Sequence, residues 1–136
     1  MLYRLGTLQV EAGDYQGAYD TFKRLIERYP RSGLKAAALA MLGFVEQEQG
    51  QYEEAIRWYE QVRAERPDDV VSQWALLELG RCYEAVGDID KARRAYEEAA
   101  GGFLGDEASE QLTLLELKSR YGVLHAGDEG APLDEG

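Results

Sequence analysis

Small and apolar residues recur along this chain at a helical interval. Leu39, Leu42 and Gly43, with Glu46 closing the row, follow the i, i+3, i+4, i+7 spacing of one helix face. Gly50 then breaks the pattern, because glycine accepts the left-handed conformation that closes helix C-termini. A second stripe, Tyr52, Ala55, Tyr59 and Val62, resumes the helical spacing, and Pro67 stops it. Two amphipathic stripes joined by a glycine turn predict an antiparallel helical hairpin.

The hairpin pattern repeats. Leu5-Gly6, Leu42-Gly43 and Leu79-Gly80 recur with a spacing of 37 residues. Gly13, Gly50 and Gly87 keep the same interval, as do Ala18, Ala55 and Ala92, and then Phe22, Tyr59 and Tyr96. Pro30 and Pro67 also match, with Leu104 in the third register. The small residues set packing distance: Gly43 and Ala55 let two helices approach, and Leu42, Tyr52 and Tyr59 fill the space on either side. One hairpin cannot bury its apolar face alone, so neighbouring units must stack.

The pattern Leu-Gly, Gly-x-Tyr, Ala, Phe/Tyr, Pro resembles the tetratricopeptide repeat family over roughly residues 1–104. An aromatic expected after Leu-Gly is present only as Tyr83, with Gln9 and Glu46 in the other units. The period is 37 residues against the family's usual length of about 34. The longer period resembles a subgroup common in bacterial cell-envelope proteins. The resemblance implies an all-α fold: a right-handed superhelical array of three antiparallel hairpins plus a C-terminal capping helix. The expected array spans residues 1–121, as units 1–31, 32–68 and 69–105 and a cap over 106–121, followed by an acidic Gly-rich tail over 122–136.

In such arrays the first helix of each hairpin lines a concave groove that takes a partner protein or peptide. Stepping about 100° per residue away from the core stripe places Ala37, Ala40, Phe44, Gln47 and Glu48 on the groove side of the second unit. The matching sets are Tyr3 and Thr7 in the first unit and Trp74, Leu77, Arg81 and Glu84 in the third. Phe44 leans towards groove exposure, whereas Trp74 and Leu77 fit a ligand-facing place or packing between helices equally. Trp58 reads as semi-buried packing, on the side facing outwards or towards the next unit. Family members that clamp C-terminal carboxylates use Lys, Asn and Arg; the matching places here hold Tyr3, Thr7, Met41, Trp74 and Glu78. That clamp is not expected, and a strongly acidic peptide is a poor candidate for the groove.

At the ends of the array, Asp106 and Ser109 suit N-caps of the last helix, with Ala108, Leu112, Leu115 and Leu117 covering the stack. By repeat alignment Met1 falls inside the first helix of the first unit. The sequence is therefore expected to be a piece of a longer chain, or else to begin with a frayed helix able to self-associate. An envelope location follows in the first case and a cytoplasmic adaptor in the second.

Charge narrows the partners further. Fifteen basic against 26 acidic residues give a net charge of −11, which disfavours phosphate-rich nucleic acid and anionic lipid alike. No apolar run approaches the roughly 20 residues a membrane-spanning helix needs. Cys82 and His125 are the only cysteine and histidine, so neither a disulfide within the chain nor a metal site is expected. With no nucleophile beside a base and no Gly-rich phosphate loop, no catalytic residue and no cofactor are expected. Arg57, Arg63, Arg93 and Arg94, mixed with glutamates, read as solvated faces with i,i+4 pairing. The expected function is a non-enzymatic protein-protein interaction scaffold, with self-association as the alternative.

Overall fold

The computed structural model describes residues 1–67 and 69–122. Seven helices make up the described part, in the order α1 (Leu2–Glu11), α2 (Tyr15–Arg28), α3 (Lys35–Glu48), α4 (Tyr52–Glu65), α5 (Val70–Val86), α6 (Ile89–Ala100) and α7 (Gly105–Arg120), and no strand occurs among the described residues. The helices pair in sequence as antiparallel hairpins, α1 with α2, α3 with α4, and α5 with α6; each hairpin packs on the next and α7 packs on α6. This is the expected superhelical array with a covering helix. The segment 123–136, which contains His125 and most of the expected tail, and Asp68 lie outside the described residues.

Two kinds of glycine build the hairpins. Gly13, Gly50 and Gly87 have φ of 80°, 77° and 89°, the left-handed conformation that lets each first helix stop and turn. Gly6 and Gly43 are ordinary helical residues held by space: a Cβ on Gly43 would stand 2.7 Å from the Tyr59 ring, and one on Gly6 would stand 2.6 Å from Phe22. Gly80 faces Tyr96 in the same manner. Each aromatic ring thus lies flat on a glycine of the facing helix, which explains the shared interval of these positions.

Polar detail follows the same register. Tyr59 donates its hydroxyl to Gln47 Oε1 at 2.6 Å, and Tyr96 donates to Glu84 Oε1 at 2.8 Å. In the first unit Phe22 and Val10 occupy these places, and Thr21 donates to Gln9 at 2.7 Å instead. Burial first, and then the neighbouring carboxylates, push the Tyr59 and Tyr96 phenols well above the ordinary range, so both stay protonated donors.

Several local expectations are corrected. The last helix begins at Gly105 with Leu104 as its N-cap and no side-chain cap bond, so Asp106 and Ser109 lie inside it rather than capping it. Ala108 and Leu115 are buried and Leu112 is half-buried, but Leu117 is exposed. Glu116, Leu117 and Thr113 stand where earlier units place Leu79, Gly80 and Leu76. α7 thus lacks the glycine that Gly80 supplies in the preceding unit, and it leaves Leu114 and Leu117 exposed. Trp58 faces the preceding unit, edge-on to Tyr19 at 6.3 Å with Lys23 Nζ over its ring at 5.6 Å. Where the arginines of α4 and α6 pair, they do so at i,i+3, as in Arg57–Glu54 and Arg93–Asp90, and between helices, as in Arg63–Glu98 and Arg93–Glu116, rather than at i,i+4.

Candidate partner-binding groove

The first helices α1, α3 and α5 bring most of the expected groove residues to one side, and their starts frame an apolar cavity of about 340 Å³. Tyr3 comes from α1, and Ala37, Ala40 and Met41 from α3. The α5 start supplies Val70, Val71 and Trp74, and the junction between α6 and α7 adds Phe103 and Leu104. The cavity exists because α3 offers alanines where α1 and α5 offer aromatic rings. Trp74 is held edge-on by Tyr59 at 5.6 Å and leans on Phe44 at 6.4 Å, so its position is set before any ligand arrives. Tyr3 is fixed by an edge contact with Phe22 at 5.7 Å. Among the described residues no charged side chain lines this cavity, and burial raises the Tyr3 phenol, keeping it neutral.

Further along the groove the surface becomes polar and internally committed. Glu78 is a buried carboxylate that accepts from Gln47 Nε2 at 2.9 Å and from Arg81 at 2.6 Å. Arg81 also reaches Glu107 on α7 at 3.4 Å. One hydrogen-bonded row therefore runs from Tyr59 through Gln47, Glu78 and Arg81 to Glu107, tying the second unit, the third unit and α7 together. Each charge in the row has a partner, as a buried carboxylate requires. Arg81 is thus matched by two carboxylates and gives the groove no net positive field.

The expected site residues separate into three groups. Tyr3, Ala37, Phe44 and Trp74 stand half-buried at or beside the cavity, and Glu48 is exposed beyond it. Gln47, Arg81 and Glu84 are spent on internal bonds, Glu84 accepting from both Tyr96 and Lys118; Thr7 likewise donates its hydroxyl to the Tyr3 carbonyl at 2.8 Å. Ala40 and Leu77 are corrections: Leu77 is 1% exposed and both sit in the core between units, because α3 and α5 are covered on both flanks by neighbouring helices. Ala40 reaches the cavity only as its floor.

Five cavity residues escaped the helical-face argument: Met41, Val70, Val71, Phe103 and Leu104. Four of them belong to helix starts or junctions, where face periodicity has no meaning. A signal was present in Phe103, which lies two repeat intervals after Tyr29 and is 68% exposed.

Cys82 is buried in α5, and burial, with Glu78 nearby, pushes its thiol up to about 12, so it behaves as an inert small apolar residue. Among the described residues no group of three His, Cys, Asp or Glu is placed to hold a metal ion. No helix among them is long and apolar enough to cross a membrane.

Solved structures with this arrangement share its fold. PcrH, from Pseudomonas aeruginosa, in complex with the chaperone binding region of PopD is 23% identical, with 87% of this chain and 90% of that one covered and a TM-score of 0.75. The Yersinia enterocolitica type III secretion translocator chaperone SycD is 21% identical, with 88% and 83% covered and a TM-score of 0.76. SycD in complex with a peptide of the translocator YopD is 21% identical, with 87% and 92% covered and a TM-score of 0.76. Among curated proteins no sequence relative matches. A sequence profile described as tetratricopeptide repeat matches residues 1–64 and 34–103. The glycine turns, the glycine-on-ring packing and this profile agree, and the chain belongs to the tetratricopeptide repeat family.

Proposed function

We propose that this chain is a non-enzymatic scaffold that binds a segment of a partner protein in its concave groove. The segment docks by an apolar side chain in the cavity between Tyr3, Ala37 and Trp74. The observation that carries the reading is that cavity: apolar, pre-formed, and framed by aromatic rings already fixed by packing, the kind of site where anchor residues concentrate binding energy. Similarity to PcrH and SycD, whose solved complexes hold segments of PopD and YopD, supports the same mode here. Inert Cys82 and the fully partnered Glu78 and Arg81 favour binding over chemistry. The interval of 37 residues supports a place in the bacterial cell envelope or in a multiprotein assembly.

Selection from a random peptide library, with Ala37→Glu as the counter-target, tests this reading. The wild-type chain should enrich peptides bearing a large aliphatic or aromatic residue, and the carboxylate in the cavity should abolish their binding. Enrichment that survives Ala37→Glu would place binding elsewhere.

Leu5 and Leu8, exposed one turn apart on α1, favour a second reading, self-association through that face. A concentration-dependent mass in sedimentation equilibrium that survives Phe44→Ala and Trp74→Ala would support it over groove binding; a constant monomer mass would exclude it.

A further inference from the structure

Charge is distributed unevenly along this chain. Residues 23–35 carry Lys23, Arg24, Arg28, Arg31 and Lys35 against a single acid, Glu27, in a protein with 26 acids and 15 bases. These residues form the second half of α2 and its junction with α3. Lys23 is occupied by Glu27 and the Trp58 ring, and Lys35 by Glu65 at 3.1 Å. Arg24, Arg28 and Arg31 are exposed and make no ion pair among the described residues. Elsewhere the arginines on α4 and α6 that face carboxylates do pair with them. Two exposed apolar side chains belong to the same segment: Tyr29, 52% exposed with the Arg28 guanidinium 5.9 Å from its ring centre, and Leu34, 46% exposed just before α3.

We propose that this edge is a second interaction surface, which takes a short acidic segment of a partner protein carrying an apolar residue. Complementarity is the argument for the occupant. Guanidinium groups offer forked donors that match carboxylates, and Tyr29 and Leu34 offer apolar contact within the same patch. Scale decides between acidic partners. At physiological salt the Debye length is about 8 Å, so a segment of a few residues feels the local cations and little else. A membrane plane or a nucleic-acid duplex extends far beyond the patch and would meet the acids that give the whole chain its charge of −11. None of its residues lines the cavity, so it does not depend on the reading given to the groove.

The test is fluorescence anisotropy with a labelled peptide of alternating glutamate and leucine. A peptide with glutamine in place of glutamate serves as its control. The glutamate peptide should bind more tightly than the glutamine one, and roughly tenfold more weakly when salt is raised several-fold. The double variant Arg28→Glu, Arg31→Glu should lose at least about tenfold in affinity, whereas the neutral, cavity-filling Ala37→Leu should leave binding unchanged. Both arginines are exposed and folding is checked by circular dichroism; Arg28→Gln, Arg31→Gln provides a milder version with an intermediate loss. Equal binding of the two peptides, or binding indifferent to both arginine variants, would overturn the proposal. So would arginine-dependent co-sedimentation with phosphatidylserine vesicles in the absence of peptide binding, which would assign the patch to lipid.

Discussion

Replacing Gly43 with alanine places a methyl group where the Tyr59 ring already lies, 2.7 Å from the new Cβ. Two effects of opposite sign compete. Alanine in a helix interior is favoured over glycine by about 1 kcal/mol, so an exposed site would gain stability. Inserting one carbon into a filled core costs roughly 1–3 kcal/mol. The upper part of that range applies, because the ring has nowhere to go: Tyr59 is fully buried, its hydroxyl is bonded to Gln47 at 2.6 Å, and its edge meets Trp74 at 5.6 Å. The net expectation is a loss of ~1–2 kcal/mol, or roughly 3–8 °C in Tm for a domain of this size. Urea unfolding followed by helix circular dichroism measures it. The mechanism is checked by a cycle with Tyr59→Leu, which removes the ring. In that background Gly43→Ala should lose much of its penalty, a coupling of about 1 kcal/mol or more. A stabilising Gly43→Ala, or an equal penalty in both backgrounds, would refute the ring-on-glycine account.

Other consequences follow from the same geometry. Gly50→Ala meets nothing within 4 Å, but its φ of 77° should cost ~1–2 kcal/mol, a penalty that Tyr59→Leu must not relieve. Arg81→Met leaves the buried Glu78 without its cation and should destabilise by about 1–3 kcal/mol, measured by the same unfolding assay; no change would mean the groove-floor row is dispensable. Burial first, then Glu78, raises the Cys82 thiol from 9.0 to about 12, so in that window the folded chain retains a proton that the unfolded chain has released. The sign is fixed: this thiol's contribution is intact below about pH 9 and is lost as pH rises towards 12, at up to ~1.4 kcal/mol per unit. Cys82→Ala should therefore lose stability more slowly than wild type between those values, and wild-type Cys82 should react with Ellman's reagent only on unfolding.

The hairpins are legible in the sequence because their constraints are local and repeated. Gly13, Gly50 and Gly87 report a backbone conformation, and Gly43 with Tyr59 reports a contact within one unit. The groove was legible only in part. Counting residues around α3 sorts one face from another, but it assumes that the opposite face is open. α3 lies between two units, so Ala38, Ala40 and Val45 are buried as well as Leu39 and Leu42, and Leu77 shares that fate in α5. The helix starts and junctions that supply Val70 and Phe103 obey no helical period. Glu78 and Glu84 each also take a partner from far along the chain, Gln47 and Lys118, 31 and 34 positions away, and only stacking of the units brings these together.

The central claim is that an apolar side chain of a partner segment enters the cavity on the concave side. Its most direct test is amide and methyl NMR of the labelled chain titrated with the strongest peptide from the library selection. The account predicts shifts concentrated at Tyr3, Ala37, Met41, Val71 and Trp74, absent in Ala37→Glu. Shifts confined to α2, α4 and α6, with the cavity residues unmoved, would contradict it.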